Sequence, residues 1–108
     1  MKKVALNLDK TELQGIMQAL QLVIQFPDGY GYGNDDEDKF LLATLTELYY
    51  KLNNACDLFK AHYKIKISIA QAMAFTIHFK AMPESCVPPQ LALTITTMIG
   101  TIDQQQSK

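Results

Sequence analysis

Four side chains have the types that ligate zinc or pair as nucleophile and base: Cys56, His62, His78 and Cys86. Their spacing withholds that chemistry. No CxxC or HxxxH pair occurs. Cys56 and His62, read as lying on one helix, stand about 120° apart around it and cannot share a tetrahedral ion. His78 and Gln71 form the small polar side of an otherwise apolar helix, where a hydrogen-bonded, partly buried imidazole is expected. Cys86 lies in a Pro-bounded loop and is the more accessible thiol, but nothing in the sequence assigns it a base. These two residues support an alternative reading as an enzyme or small-ligand carrier, with a pocket between the first and third helices. No catalytic residue, metal ligand or cofactor is assigned.

The acidic run Asp35, Asp36, Glu37 and Asp38 offers the oxygen ligands that calcium takes from a short loop. The spacing argues against it. An EF-hand frame opened at Asp28 puts Tyr30 and Tyr32 at ligand positions, and one opened at Asn34 puts Lys39 at the glycine position. The run reads instead as electrostatic support for the start of the second helix, with Lys60, Lys64 and His62 complementing its other end. Gly29-Tyr30-Gly31-Tyr32-Gly33 resembles a phosphate loop only superficially. It follows a helix, lacks the Lys-Ser/Thr pair and is flanked by carboxylates. Tyrosine and glycine together suit adaptable protein recognition. Tyr30, Tyr32, Asp35 and Asp36, with an outward Tyr50 on the second helix, are therefore the expected partner contacts. The alternating glycines are read as denying both loop tyrosines a fixed core position, so both are expected to be exposed. A connector whose tyrosines fold onto the core is the competing reading.

The elements that must position these residues follow from periodicity. Val4, Leu6 and Leu8 alternate with Ala5 and Asn7, and Ile65, Ile67 and Ile69 alternate with Lys66 and Ser68, so both segments read as extended. Each enters a helix through a capping-box pattern, Asp9 with Glu12 and Ser68 with Gln71. Both fit Lys-[Val/Ile]-x-[Leu/Ile]-[Asn/Ser]-[Leu/Ile], at 3–8 and 64–69. The similarity is accounted for by a two-stranded ribbon joining two helical pairs, or by the common pattern of a strand entering a helix. The first helix, Lys10 to Phe26, has an apolar arc of roughly 220° and a strip of Gln14, Gln18, Gln21 and Gln25 in place of a charged face. It therefore needs cover on two sides, and the glutamine strip is the candidate oligomer interface of a homodimer. Leu41, Leu45, Leu48, Leu52, Ala55 and Phe59 form a heptad seam that carries the second helix to about His62. The third helix is apolar nearly all round, with Phe75, Phe79 and Met82 on one side and Ile69, Met73 and Ile77 on another, and reads as central. Pro89 suits the first turn of a fourth helix with core face Leu91, Ile95, Met98 and Ile102. Leu93-Thr94-Ile95-Thr96 alternates, so residues 91–99 stand open between helix and strand.

At 108 residues and 48% hydrophobic, the chain reads as one domain, 1–108, with enough apolar content for its own core. Its formal net charge is −1 and all ten basic residues are lysine, which disfavours nucleic acid as a partner. Lys2 and Lys3 are followed too soon by polar residues for a signal peptide, and no run of ~18 apolar residues spans a membrane. A cytoplasmic address with free thiols is expected. The reading is a mainly α domain of four helices with a short two-stranded ribbon near 3–8 and 63–69. Its expected function is a small intracellular protein-binding module, of an inhibitor or toxin-neutralising kind, presenting the Tyr/Gly/acidic loop to a protein partner.

Overall fold

Alternation decides the two strands. In the computed structural model, which describes residues 3–56, 60–82 and 89–106, β1 (Lys3–Asp9) and β2 (His62–Ser68) have the same alternating burial. They pair antiparallel around Leu6 opposite Ile65. Val4, Leu6, Leu8, Tyr63, Ile65 and Ile67 face inward, and Lys3, Ala5, Asn7, His62, Lys64 and Lys66 face solvent. α1 (Lys10–Gln25) follows β1 directly, and α3 (Ile69–Ala81) follows β2. Both capping boxes are formed: the Glu12 N–H donates to Asp9 Oδ1 at 2.8 Å and the Gln71 N–H to Ser68 Oγ at 3.0 Å. Each box satisfies amides that a helix start leaves free.

Between the two units lie a 3-10 turn (Pro27–Tyr30) and α2 (Asp36–Ala55), and α4 (Pro89–Gln106) closes the chain. The chain is thus strand–helix–helix twice over. With the caps Asp9 and Ser68 as equivalent points, Leu6 corresponds to Ile65, its own ladder partner. The buried residues Leu13, Ile16 and Leu20 then correspond to Ala72, Phe75 and Phe79. α2 buries Leu45, Leu48 and Leu52, and α4 buries Ile95, Met98 and Ile102 at the same spacing, preceded by the partly buried Leu41 and Leu91. The pattern legible in the sequence paired Lys3 with Lys64. The caps shift that equivalence by two residues, so Ile69 opens α3 and is exposed rather than ending the strand's inner row.

Residues 91–99 are helical, and the core face of α4 is as the periodicity predicts. α2, by contrast, stops at Ala55, short of His62. Asn53 and Asn54 are poor helix formers, and the ladder requires His62 opposite Asp9. Lys60, Lys64 and His62 consequently do not complement the end of α2, and Phe59 lies outside the described residues. α1 buries Leu13, Ile16, Leu20 and Val23 against its neighbours, but its apolar arc is not fully covered: Leu22 and Phe26 are exposed. Gln14, Gln18, Gln21 and Gln25 are all exposed. At Gly15 the two helices approach closely: an added Cβ would stand 2.9 Å from Leu91 Cδ1 of α4, so the Leu91 side chain would have to shift. The outer edge of β1 is closed by Gln105, which accepts from the Ala5 N–H at 3.0 Å and donates to its carbonyl at 2.8 Å, occupying groups that could pair with a foreign strand.

Candidate functional site

α3 is apolar nearly all round, yet only one side of it can face the core. Phe75 and Phe79, with ring centroids 4.6 Å apart, take that side together with Ala72 and Ala74. The row Ile69, Met73 and Ile77 is left outside, with Met73 49% and Ile77 53% exposed. The expectation of a wholly central helix therefore fails, because a single-layer ribbon and three other helices cannot cover all of α3. Phe40, in the second turn of α2, is 70% exposed beside this row. Phe40, Met73 and Ile77, together with Leu41, Ala70 and Ala74, line a groove of about 650 Å³ between α2 and α3, with Asp36, Glu37 and Asp38 also in its lining.

A second cleft, of about 390 Å³, shares Leu41 and Ile77 with the groove and continues toward Tyr30, Tyr32, His78 and Met82. The 27–33 connector is well ordered by its own backbone. The Gly29 N–H donates to the Phe26 carbonyl at 3.1 Å, and the Tyr32 N–H donates to that of Pro27 at 3.0 Å. Gly31 takes the left-handed conformation, φ 86°, that glycine adopts at no steric cost. This path delivers Tyr32 onto His78, with rings stacked at 5.6 Å and the hydroxyl sharing a 2.5 Å hydrogen bond with Nδ1. Tyr32 is buried, and its expected exposure is corrected: the glycines set the turn that carries it inward. Tyr30 is half-buried and tilted against the same imidazole at 5.9 Å.

Burial controls the electrostatics. Burial, helped by the Asp38 carboxylate, pushes the Tyr32 phenol up to about 12. Burial alone holds His78 down at about 4. Both are neutral at ordinary pH, and the partly buried, hydrogen-bonded histidine expected from the sequence is what α3 carries. With the phenol donating to Nδ1, the remaining imidazole proton lies on Nε2, which is buried and has no hydrogen-bond partner among the described residues. Asp38 also accepts the Gly33 N–H at 2.9 Å, tying the connector to the first turn of α2.

The structure thus gathers Tyr30, Tyr32 and Asp36 along one continuous depression, with Asp35 at the N-cap of α2 beside them. Tyr50 is exposed as expected but lies about 21 Å along α2 from Asp36, at 1.5 Å per residue, and lines neither cleft. The glutamine strip belongs to α1 and is equally separate. Cys86 lies outside the described residues, and Cys56 is a free, half-buried thiol. Among the described residues no cluster of His, Cys, Asp or Glu is arranged to hold a metal ion, and no helix is long and apolar enough to cross a membrane. Sequence reasoning missed Phe40, Met73 and Ile77. The available signal was an all-round apolar helix in a chain too small to bury every side of it. In comparisons with family models, curated proteins and solved structures, none matches this chain.

Proposed function

We propose that the chain is a protein-binding module whose docking face is the α2–α3 groove, flanked by the Tyr30 cleft. The observation that carries this reading is the grouping of Phe40, Met73 and Ile77, all about half exposed or more, around one groove. Fully covering a large apolar side chain contributes about 1.5–3 kcal/mol, so three together make a strong attachment point. The carboxylates of Asp35, Asp36 and Glu37 give the site the character of an inhibitor or neutralising protein directed at a basic surface. The setting is intracellular, and the exposed, uncharged strip of Gln14, Gln18, Gln21 and Gln25 would serve as a homodimer face.

A second reading is supported by the cleft at His78, which lies between the 27–33 connector and the α2–α3 pair rather than between α1 and α3 as expected, and whose volume lies within the ~300–1,000 Å³ of small-ligand sites. The imidazole there has an unused nitrogen. The experiment that separates the two is recovery of the native chain from its own cell beside Phe40→Gln/Met73→Gln, at two residues that line the groove and not the cleft. A stoichiometric protein partner lost by the double variant is the expected result. Retention of that partner would remove the groove from the site, and a small molecule carried by both forms would favour the cleft.

A further inference from the structure

We propose that the occupant of the α2–α3 groove is an amphipathic α-helix of another protein. It would present about two turns of apolar residues to the groove and lysine or arginine to Asp36 and Glu37. The inference rests on the groove being the docking face.

Shape points to a helix. Ala70, Met73, Ala74 and Ile77 line the groove at i, i+3, i+4 and i+7 along α3, which at 1.5 Å per residue makes a row about 10 Å long. Such rows are the ridges by which helices interlock. Both walls are helices, so the groove has no strand edge on which an extended peptide could add.

The molecule also contains a closed counterpart of the junction beside this groove. By the equivalence of the two halves, the junction of α2 with α3 corresponds to the junction of α4 with α1. There Leu91 closes on Gly15, in contact so close that no Cβ fits without a shift. Leu41 and Ala74 stand at the matching places between α2 and α3, where Ala74 is likewise buried. The groove opens beside that contact, at Phe40, Met73 and Ile77, which no side chain of the described residues covers as far as burying them.

Charge selects the partner. Asp35, Asp36, Glu37 and Asp38 face the single Lys39 within this stretch, and the roughly half-unit positive end of the α2 dipole does not cancel them. A second copy of the chain is a poorer complement. α1 carries no lysine after Lys10 beside its exposed Leu22 and Phe26, and the solvent face of the ribbon has Lys3, Lys64 and Lys66 but no large apolar side chain.

The test uses the full chain with isotope-labelled Met and Ile methyls and three synthetic helical peptides. Two have leucine at i, i+4 and i+7, one flanked by lysine and one by glutamate, and the third has the composition of the lysine-flanked peptide in scrambled order. The lysine-flanked helix is expected to shift the Met73 and Ile77 resonances and to bind at least tenfold more tightly than the other two. Its affinity should fall as salt rises and fall again in Asp36→Asn/Glu37→Gln. Equal binding of the glutamate-flanked peptide would overturn the cationic partner, and equal binding of the scrambled one would overturn the helix, while leaving the groove as the docking face. Unchanged binding to Met73→Gln/Ile77→Gln, or shifts confined elsewhere, would remove the docking face itself. No shift with any peptide, or concentration-dependent dimerisation abolished by that double variant, would also overturn the proposal, the latter by making the occupant a second copy.

Discussion

α1 and α3 start alike, each after a strand and each through a capping box, and they bury side chains at equivalent positions. Their outward rows are opposite in character. Where α1 shows solvent Gln14 and Gln18, α3 shows Met73 and Ile77; where α1 has the small Ala19, α3 has a buried His78 roofed by Tyr32. The glutamines show that this position on the helix can be fully solvated by polar side chains in this very fold. Folding therefore does not demand apolar residues there, and that contrast is what the proposed docking face rests on. The inner difference points the same way. A core whose other buried polar side chains are Thr44 and Gln71 among the described residues accepts an imidazole at the end of the cleft, with the desolvation that lowers its pKa.

The contrast can be broken first at Tyr32. Replacing it with Ala removes a buried ring and leaves the His78 Nδ1 unpaired, and is expected to cost about 3–5 kcal/mol in a urea melt, as for other large aromatic truncations. Tyr30→Ala, at a half-buried site, should cost about 1 kcal/mol. Equal, small losses at both would mean the connector does not pack on α3.

pH sharpens the comparison next. His78 ionises at about 4 in the fold against an ordinary 6.5. The unfolded chain therefore takes up a proton that the folded chain refuses. The stability this group contributes is whole above pH 6.5 and is lost as pH falls from 6.5 toward 4, by up to about 3 kcal/mol. Denaturant melts at stepped pH should show that slope. His78→Ala, which installs the residue α1 carries at position 19, should flatten it whatever it does to the baseline.

Gly15→Ala tests the sealed junction. The new methyl must displace the far end of the flexible Leu91 side chain, while the helix gains about 1 kcal/mol of propensity, so the net change should lie within about 1 kcal/mol. Thermal melts would read it, and a loss above 2 kcal/mol would mean Leu91 cannot yield. The smallest effect belongs to Met73→Gln/Ile77→Gln, which gives α3 the outward row of α1. Both side chains are about half exposed, so stability should move by no more than ~0.5 kcal/mol. A much larger drop would place the row within the fold's own core.

Much of the fold was legible because periodicity and caps are local. Val4, Leu6 and Leu8 declare a one-sided strand, Asp9 with Glu12 and Ser68 with Gln71 declare two helix starts, and Leu91, Ile95, Met98 and Ile102 declare the inner face of α4. The end of α2 was not legible. The heptad seam continues past Ala55, and only the pairing of His62 with Asp9 brings the chain into β2. The candidate site was half legible: the acidic run and Tyr30 stand out as residue types, whereas Phe40, Met73 and Ile77 read as ordinary core.

The sequence by itself determined the types of the two strands and the first three helices, the inward rows of β1 and β2, and the starts of α1 and α3, since each depends on residues within one or two turns of one another, while 91–99 stood open between helix and strand. Tertiary structure alone decided which side of an all-apolar α3 faces inward, and that Tyr32 meets His78, 46 residues away. It also decided that Leu91 closes on Gly15 and that Phe40, Met73 and Ile77 are left around an open groove. The physical reason is competition for a limited interior: many side chains are apolar enough to be buried, and only the packing of all the elements settles which are left for solvent or for a partner.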